Sequence, residues 1–110
     1  MNTACELSCF SVHVSCGACG VIAVRGELDL AGVPLLESTV RNLDLSRIRH
    51  AVLDLRRLAF IDAAGLEAVL DLYAACLEDA TTLTIIPGPR NVQRLFELTR
   101  LDRVLPFSDP

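Results

Sequence analysis

Phe10, Val12 and Val14 fall on one side of an extended segment, and Cys9, Ser11 and His13 fall on the other. This period of two belongs to a strand with one buried face. Cys16-Gly17-Ala18-Cys19-Gly20 follows as a glycine-punctuated link, and Val21-Ile22-Ala23-Val24 is a second apolar run rich in β-branched residues. The two runs predict a hairpin. After Gly26-Glu27-Leu28-Asp29 the period becomes helical, with Leu35, Leu36, Thr39, Val40 and Leu43 three or four apart and Glu37 and Arg41 opposite. Pro34 suits the first turn, where its missing N–H has no partner to lose.

His50 to Leu55 is a third strand, and its mostly apolar character suits the interior of a sheet. Arg56-Arg57 just after it is expected to be a solvated loop, with a partner or anion contact as the alternative. Asp62 can cap a second helix, its carboxylate accepting from the free N–H groups of the first turn. Leu66, Val69, Leu70, Tyr73 and Leu77 supply that helix's buried stripe, and Glu67, Asp71 and Glu78 an acidic outer face. Thr82 to Ile86 is a fourth strand, closed by Pro87-Gly88-Pro89, in which Gly88 is free to take positive φ. A third helix over about 91–100 buries Val92, Leu95 and Phe96, with Leu98 a further candidate, and residues 104–107 form a short terminal extended piece.

The order β-β-α-β-α-β-α-β demands parallel crossovers after one antiparallel hairpin. The expected class is α/β, a mixed sheet of four to five strands with helices packed on it. Residues 1–110 fit one domain with its core at about 7–107, and no repeat, linker or low-complexity segment divides them.

Composition narrows the chemistry. Hydrophobic residues make up 52% and charged residues 22%, enough apolar mass for a core and too little charge for intrinsic disorder. Ten basic residues, all Arg, against fourteen acidic ones leave a net charge of -4, which argues against direct contact with nucleic acid. With two His, no Lys and no Trp, catalytic residue types are scarce. No secretory leader or run of about 20 apolar residues is visible, so a cytoplasmic location without a membrane span is expected.

Five Cys, four of them within the first nineteen residues, read in a cytosol as thiols rather than a disulfide framework. Cys16 and Cys19 have the Cys-x-x-Cys spacing that can reach one metal or close a redox ring, with Cys5, Cys9 and His13 as further ligands. Against this, the pair falls in a hairpin link rather than at a helix start. Cys5 and Cys9, on one face of an extended segment, would stand about 13 Å apart. Incidental thiols are the simpler reading, and no cofactor is called for.

Leu53-Asp54-Leu55-Arg56-Arg57-Leu58-Ala59-Phe60-Ile61-Asp62-Ala63-Ala64-Gly65-Leu66, together with Gly26-Glu27-Leu28-Asp29-Leu30, resembles the STAS domain, the module of sulphate transporters and anti-sigma factor antagonists. The resemblance runs from about Leu7 to Phe107. It implies a bacterial, non-enzymatic regulator that binds an anti-sigma factor with a kinase-like ATP-binding fold and so frees a sigma factor. The contact residues it implies are Asp29, Asp62, Ala63, Ala64, Gly65, Leu66 and Glu67. In that family the strand-to-helix turn reads Asp-Ser-Ser-Gly-Leu, and the first Ser is the phospho-acceptor.

Here the matching residue is Ala63, and a methyl group cannot supply the oxygen nucleophile that phosphoryl transfer needs. No Ser or Thr lies between Ser46 and Thr81 to replace it. The resemblance therefore implies an antagonist that phosphorylation at this turn does not switch off. Residue by residue, plainer roles compete: Asp62 as a helix cap, Asp29 as a turn carboxylate, Gly65 as a packing residue, and the acidic stripe as a solvated face. The same fold also resembles small accessory subunits that dock on the ATPase of ABC-type lipid transporters, and this reading stays open, as does a thiol-based metal or redox protein.

Overall fold

A computed structural model describes residues 2–7, 9–17 and 19–109, the first six by backbone pairing alone. The elements run β1 (Asn2–Leu7), β2 (Phe10–Ser15), β3 (Cys19–Leu28), α1 (Val33–Asn42), β4 (His50–Ile61), α2 (Ala63–Glu78), β5 (Thr82–Ile86) and α3 (Arg90–Leu98). Short 3-10 turns at Leu45–Arg47 and Leu101–Arg103 complete the order. The sheet follows the chain, β1-β2-β3-β4-β5. β1, β2 and β3 are antiparallel, as links of two and three residues allow, whereas β3, β4 and β5 are parallel because α1 and α2 carry the crossovers.

The period-two alternation survives as the two faces of this sheet. Val12, Val14, Ile22, Val24, Leu53, Leu55, Leu83 and Ile85 are buried, and they share one core with Leu36, Leu66, Val69, Leu72, Val92 and Phe96 from the helices. All three helices therefore cover the same face. The other face carries Ser11, His13, Ala23, Arg25, Asp54 and Thr84, half-buried or exposed. Outside the sheet, Phe96 meets Phe107 edge-on with ring centroids 5.1 Å apart.

Several expected boundaries move, each for a visible reason. β1 pairs along β2 although its sequence shows no alternation, and Cys9 sits in the turn after it, so Cys5 and Cys9 do not share one extended segment. Gly26 lies inside β3, not in the approach to a helix: its φ is +94°, and a Cβ there would come within 2.2 Å of the Cys9 carbonyl oxygen. Gly88 is not at positive φ; it is glycine because a Cβ would meet the Leu55 carbonyl oxygen at 2.9 Å.

Arg56 and Arg57 are strand residues rather than a loop, because β4 continues to Ile61. Its register to β3 shifts twice, so that Ala23 opposes Asp54 but Arg25 opposes Arg57, and Gly26 opposes Leu58 but Glu27 opposes Phe60. Each shift is a bulge that turns two consecutive β4 residues outward, Arg56 with Arg57 and Ala59 with Phe60. On α2 the buried stripe is Gly65, Leu66, Ala68, Val69, Leu72 and Cys76. Leu70 and Tyr73 lie on its half-buried flank and Leu77 is 63% exposed, since a stripe through 66, 70, 73 and 77 runs one residue too far around the helix. Leu98 is 69% exposed, two positions beyond the buried Phe96 and hence on the far side of α3. The terminal piece reaches the sheet through a single parallel bridge, Ile85 to Phe107.

Candidate functional site

β3 and β4 run in the same direction and end together, Leu28 opposite Ile61, so the loops that leave them open onto one edge of the sheet. This brings Asp29 beside the Asp62–Leu66 turn, thirty-odd residues away in sequence. The Asp62 N–H donates to the Leu28 carbonyl oxygen at 3.3 Å, tying the two loops by their backbones.

Asp62 is extended, with φ -115° and ψ -172°, and breaks the strand. Its Oδ1 accepts from the Gly65 N–H at 3.0 Å, and its carbonyl oxygen accepts from the Leu66 N–H at 2.9 Å. That is an N-cap made through one carboxylate oxygen. Asp29 is engaged in the same way: its Oδ1 accepts from the N–H groups of Ala31 and Gly32 at 3.1 and 3.0 Å, shaping the entry to α1. Both carboxylates hold loop backbone, and neither is arranged with the other as an acid–base pair.

Gly65 lets the first turn of α2 press against β3. A Cβ at this position would stand 2.3 Å from the Leu28 carbonyl oxygen and 2.6 Å from Ile61 Cγ1. Gly65 and Leu66 are buried, so they shape the turn from beneath; Ala63 and Glu67 are exposed, and Asp62, Ala64 and Asp29 half-buried. Ala63 thus presents a bare methyl at the first position of α2, at the positive end of a sixteen-residue helix.

Two apolar residues at this edge escaped the sequence reading. Leu30 is 75% exposed in the loop after β3, and Phe60 is 46% exposed at the second bulge of β4. The available signal was the spacing of Leu58 and Ile61, apolar residues three apart that a strict period of two cannot place on one face, with Phe60 between them.

The cysteines are dispersed. Cys16 begins the hairpin link half-buried, Cys19 opens β3 exposed, and Ala18 between them lies outside the described residues, as does the side chain of Cys5. Among the described residues, no three His, Cys, Asp or Glu side chains come together to hold a metal ion. Cys76 is buried on α2, where loss of solvation, and then the charge of Asp79, push its thiol pKa up.

The family model described as "Mlab, STAS domain" matches residues 14–106, nearly the whole of the chain and both loops of this edge. The chain belongs to the STAS domain family. Solved structures agree on the fold. An anti-sigma factor antagonist from Mycobacterium paratuberculosis is 24% identical with a TM-score of 0.81, the match covering 92% of this chain and 86% of that one. The anti-sigma factor antagonist SpoIIAA in its unphosphorylated form is 19% identical with a TM-score of 0.72, covering 91% and 88%. The phosphorylated form of the Bacillus cell fate determinant SpoIIAA is 18% identical with a TM-score of 0.66, covering 91% of each chain. Among the described residues of this STAS domain, no helix is long and apolar enough to cross a membrane.

Proposed function

We propose that this STAS domain is a non-enzymatic anti-sigma factor antagonist. Its contact surface is the Asp62–Leu66 turn with Asp29 and Glu67, and its partner is an anti-sigma factor with a kinase-like ATP-binding fold. The observation that carries the reading is Ala63, exposed at the start of α2 on a turn that Asp62 caps and Gly65 seats against β3. Family members place their phospho-acceptor hydroxyl at the matching position. Phosphorylation there would add about -1.5 to -2 charges. The helix dipole favours an anion at its N-terminus by about 0.3–1 kcal/mol, so inhibition in phosphorylatable members acts through repulsion at the partner surface, not through unfolding. With Ala63 that control is gone, and the domain is held competent to bind, regulated by abundance or by its partner. Leu30 and Phe60 extend the surface with apolar area that a partner would desolvate.

The test separates binding from folding. Affinity capture from the source cells should recover a kinase-fold anti-sigma factor, and that purified protein should bind the parent at least about tenfold more tightly than Ala63→Glu, a loss of about 1.4 kcal/mol. The substitution should leave thermal stability unchanged or slightly raised, as an N-terminal anion on α2 predicts. Equal affinity of parent and variant would refute the assignment of the turn. Recovery of an ABC-type ATPase instead would assign the domain to the transporter accessory subunits that share its fold.

A further inference from the structure

The sheet face that the helices leave uncovered bears a second constellation, on the opposite side of β4 from the core. At the first bulge three β4 residues span two of β3, which sets Arg57 directly across from Arg25 and turns Arg56 outward beside it. Arg56 folds back on Asp54. Its Nε and Nη2 lie 3.0 and 2.8 Å from the two carboxylate oxygens, and its backbone N–H donates to Oδ1 at 3.0 Å. Arg56 thereby takes up most of the Asp54 charge, with a weaker attraction from Arg57. Arg25 and Arg57, cross-strand neighbours of like charge, have no ion-pair partner among the described residues. Such an arrangement is unfavourable until an anion bridges it.

Between them opens a cavity of about 380 Å³, lined among others by Ser11, His13, Ala23, Arg25, Asp54 and Arg57. That volume lies within the usual range of small-molecule sites, about 300–1,000 Å³. Two guanidinium forks match the oxygens of a phosphate, and Ser11 and His13 add a hydroxyl and a ring nitrogen from β2. The chain as a whole is acidic at -4, so this concentration of positive charge is local and not a general property of its surface. We propose that the cavity binds a small phosphomonoester anion, with its phosphate between Arg25 and Arg57. The same chemistry is offered by a soluble phosphorylated metabolite and by a phosphomonoester lipid headgroup.

Isotope-labelled protein titrated with inorganic phosphate and with phenyl phosphate at low ionic strength should show saturable amide shifts confined to Ser11, Ala23, Arg25, Asp54 and Arg57. The dissociation constant should fall below about 1 mM for the better probe. Arg25→Ala and Arg57→Ala should each weaken binding by about tenfold or more, since each removes a charged hydrogen-bonding partner. Arg56→Ala should also weaken it, by unmasking the Asp54 carboxylate beside the cavity, and Arg94→Ala on α3 should not. In parallel, sedimentation with phosphatidylcholine vesicles containing phosphatidic acid tests the headgroup. Binding to vesicles alone, lost in Arg25→Ala and Arg57→Ala, supports the site and assigns it to lipid; binding of the soluble probes supports it and assigns a metabolite. No saturable response to any probe, or a response that survives both substitutions, overturns the proposal.

Discussion

A methyl group on residue 65 would stand 2.3 Å from a backbone oxygen and 2.6 Å from a buried Ile61 carbon, neither of which can swing away. Gly65→Ala gains helix propensity of about 1 kcal/mol but must lift the start of α2 off β3. We expect net destabilisation of about 2 kcal/mol, roughly 10 °C in Tm by thermal melting, and weakened partner binding because the Asp62–Ala63 turn moves with the helix. A fully stable Gly65→Ala would mean that the close approach is not needed. Asp54 sets a different dependence. The hydrogen bond from Arg56 holds its carboxyl below the usual carboxylate range. The stability from this pair is complete above the ordinary Asp value of about 3.9 and is lost as pH falls through the lower native value. Arg56→Gln should therefore be less stable than the parent to urea near neutral pH, with the two midpoints converging in acid. A constant difference across pH would place the effect elsewhere.

Among the elements, α2 ends in a way that its sequence disguises. Ala80 has φ +54°, its N–H donates to the Leu77 carbonyl oxygen at 3.3 Å, and the Thr81 N–H donates to that of Cys76 at 2.8 Å. This is the paired-bond helix stop that usually carries glycine at the left-handed position. Ala80→Gly should relieve the Cβ strain and raise stability by about 0.5–1 kcal/mol in denaturant titration, and a loss of stability would contradict the left-handed geometry. The same contrast explains what the sequence made legible. The hairpin, the crossover helices and the Asp62 cap announced themselves through period, length and a short polar side chain, all local signals. β1 carries no alternation, and its edge position follows from pairing with β2, a tertiary fact. The bulges of β4 were nearly as hidden, because a register shift is a relation between two strands and left only the three-residue spacing of Leu58 and Ile61 as a trace. That is why Arg56-Arg57 resembled a loop and why Phe60 was overlooked, while the resemblance alone drew Asp29 to the Asp62 turn and the backbone shows the two to be neighbours.

The whole molecule is layered on one side only, and its two candidate surfaces use different consequences of that layering. The edge at Ala63 exists because parallel strands end together and helices start there; the arginine cavity exists because, among the described residues, no helix covers the opposite face. Both depend on one core resisting local opening, and Cys76 reports on that directly. It is 1% exposed, on the stripe of α2 that packs with Val69 and Leu72, and burial pushes its thiol pKa up. The exposed Cys19 needs no opening to react. If the helices and sheet unfold as a unit, alkylation of Cys76, followed by peptide mass mapping against denaturant concentration, should accelerate with the same slope as equilibrium unfolding. A markedly shallower slope would show α2 detaching from the sheet before the rest. In that case the Ala63 turn would ride on a separately opening helix, and partner binding would slow Cys76 labelling without changing the exchange of amides in β3 and β4. Under global opening, the partner should protect Cys76 and the central strands by the same factor, since ligand binding to the native state lowers every route that passes through complete unfolding equally.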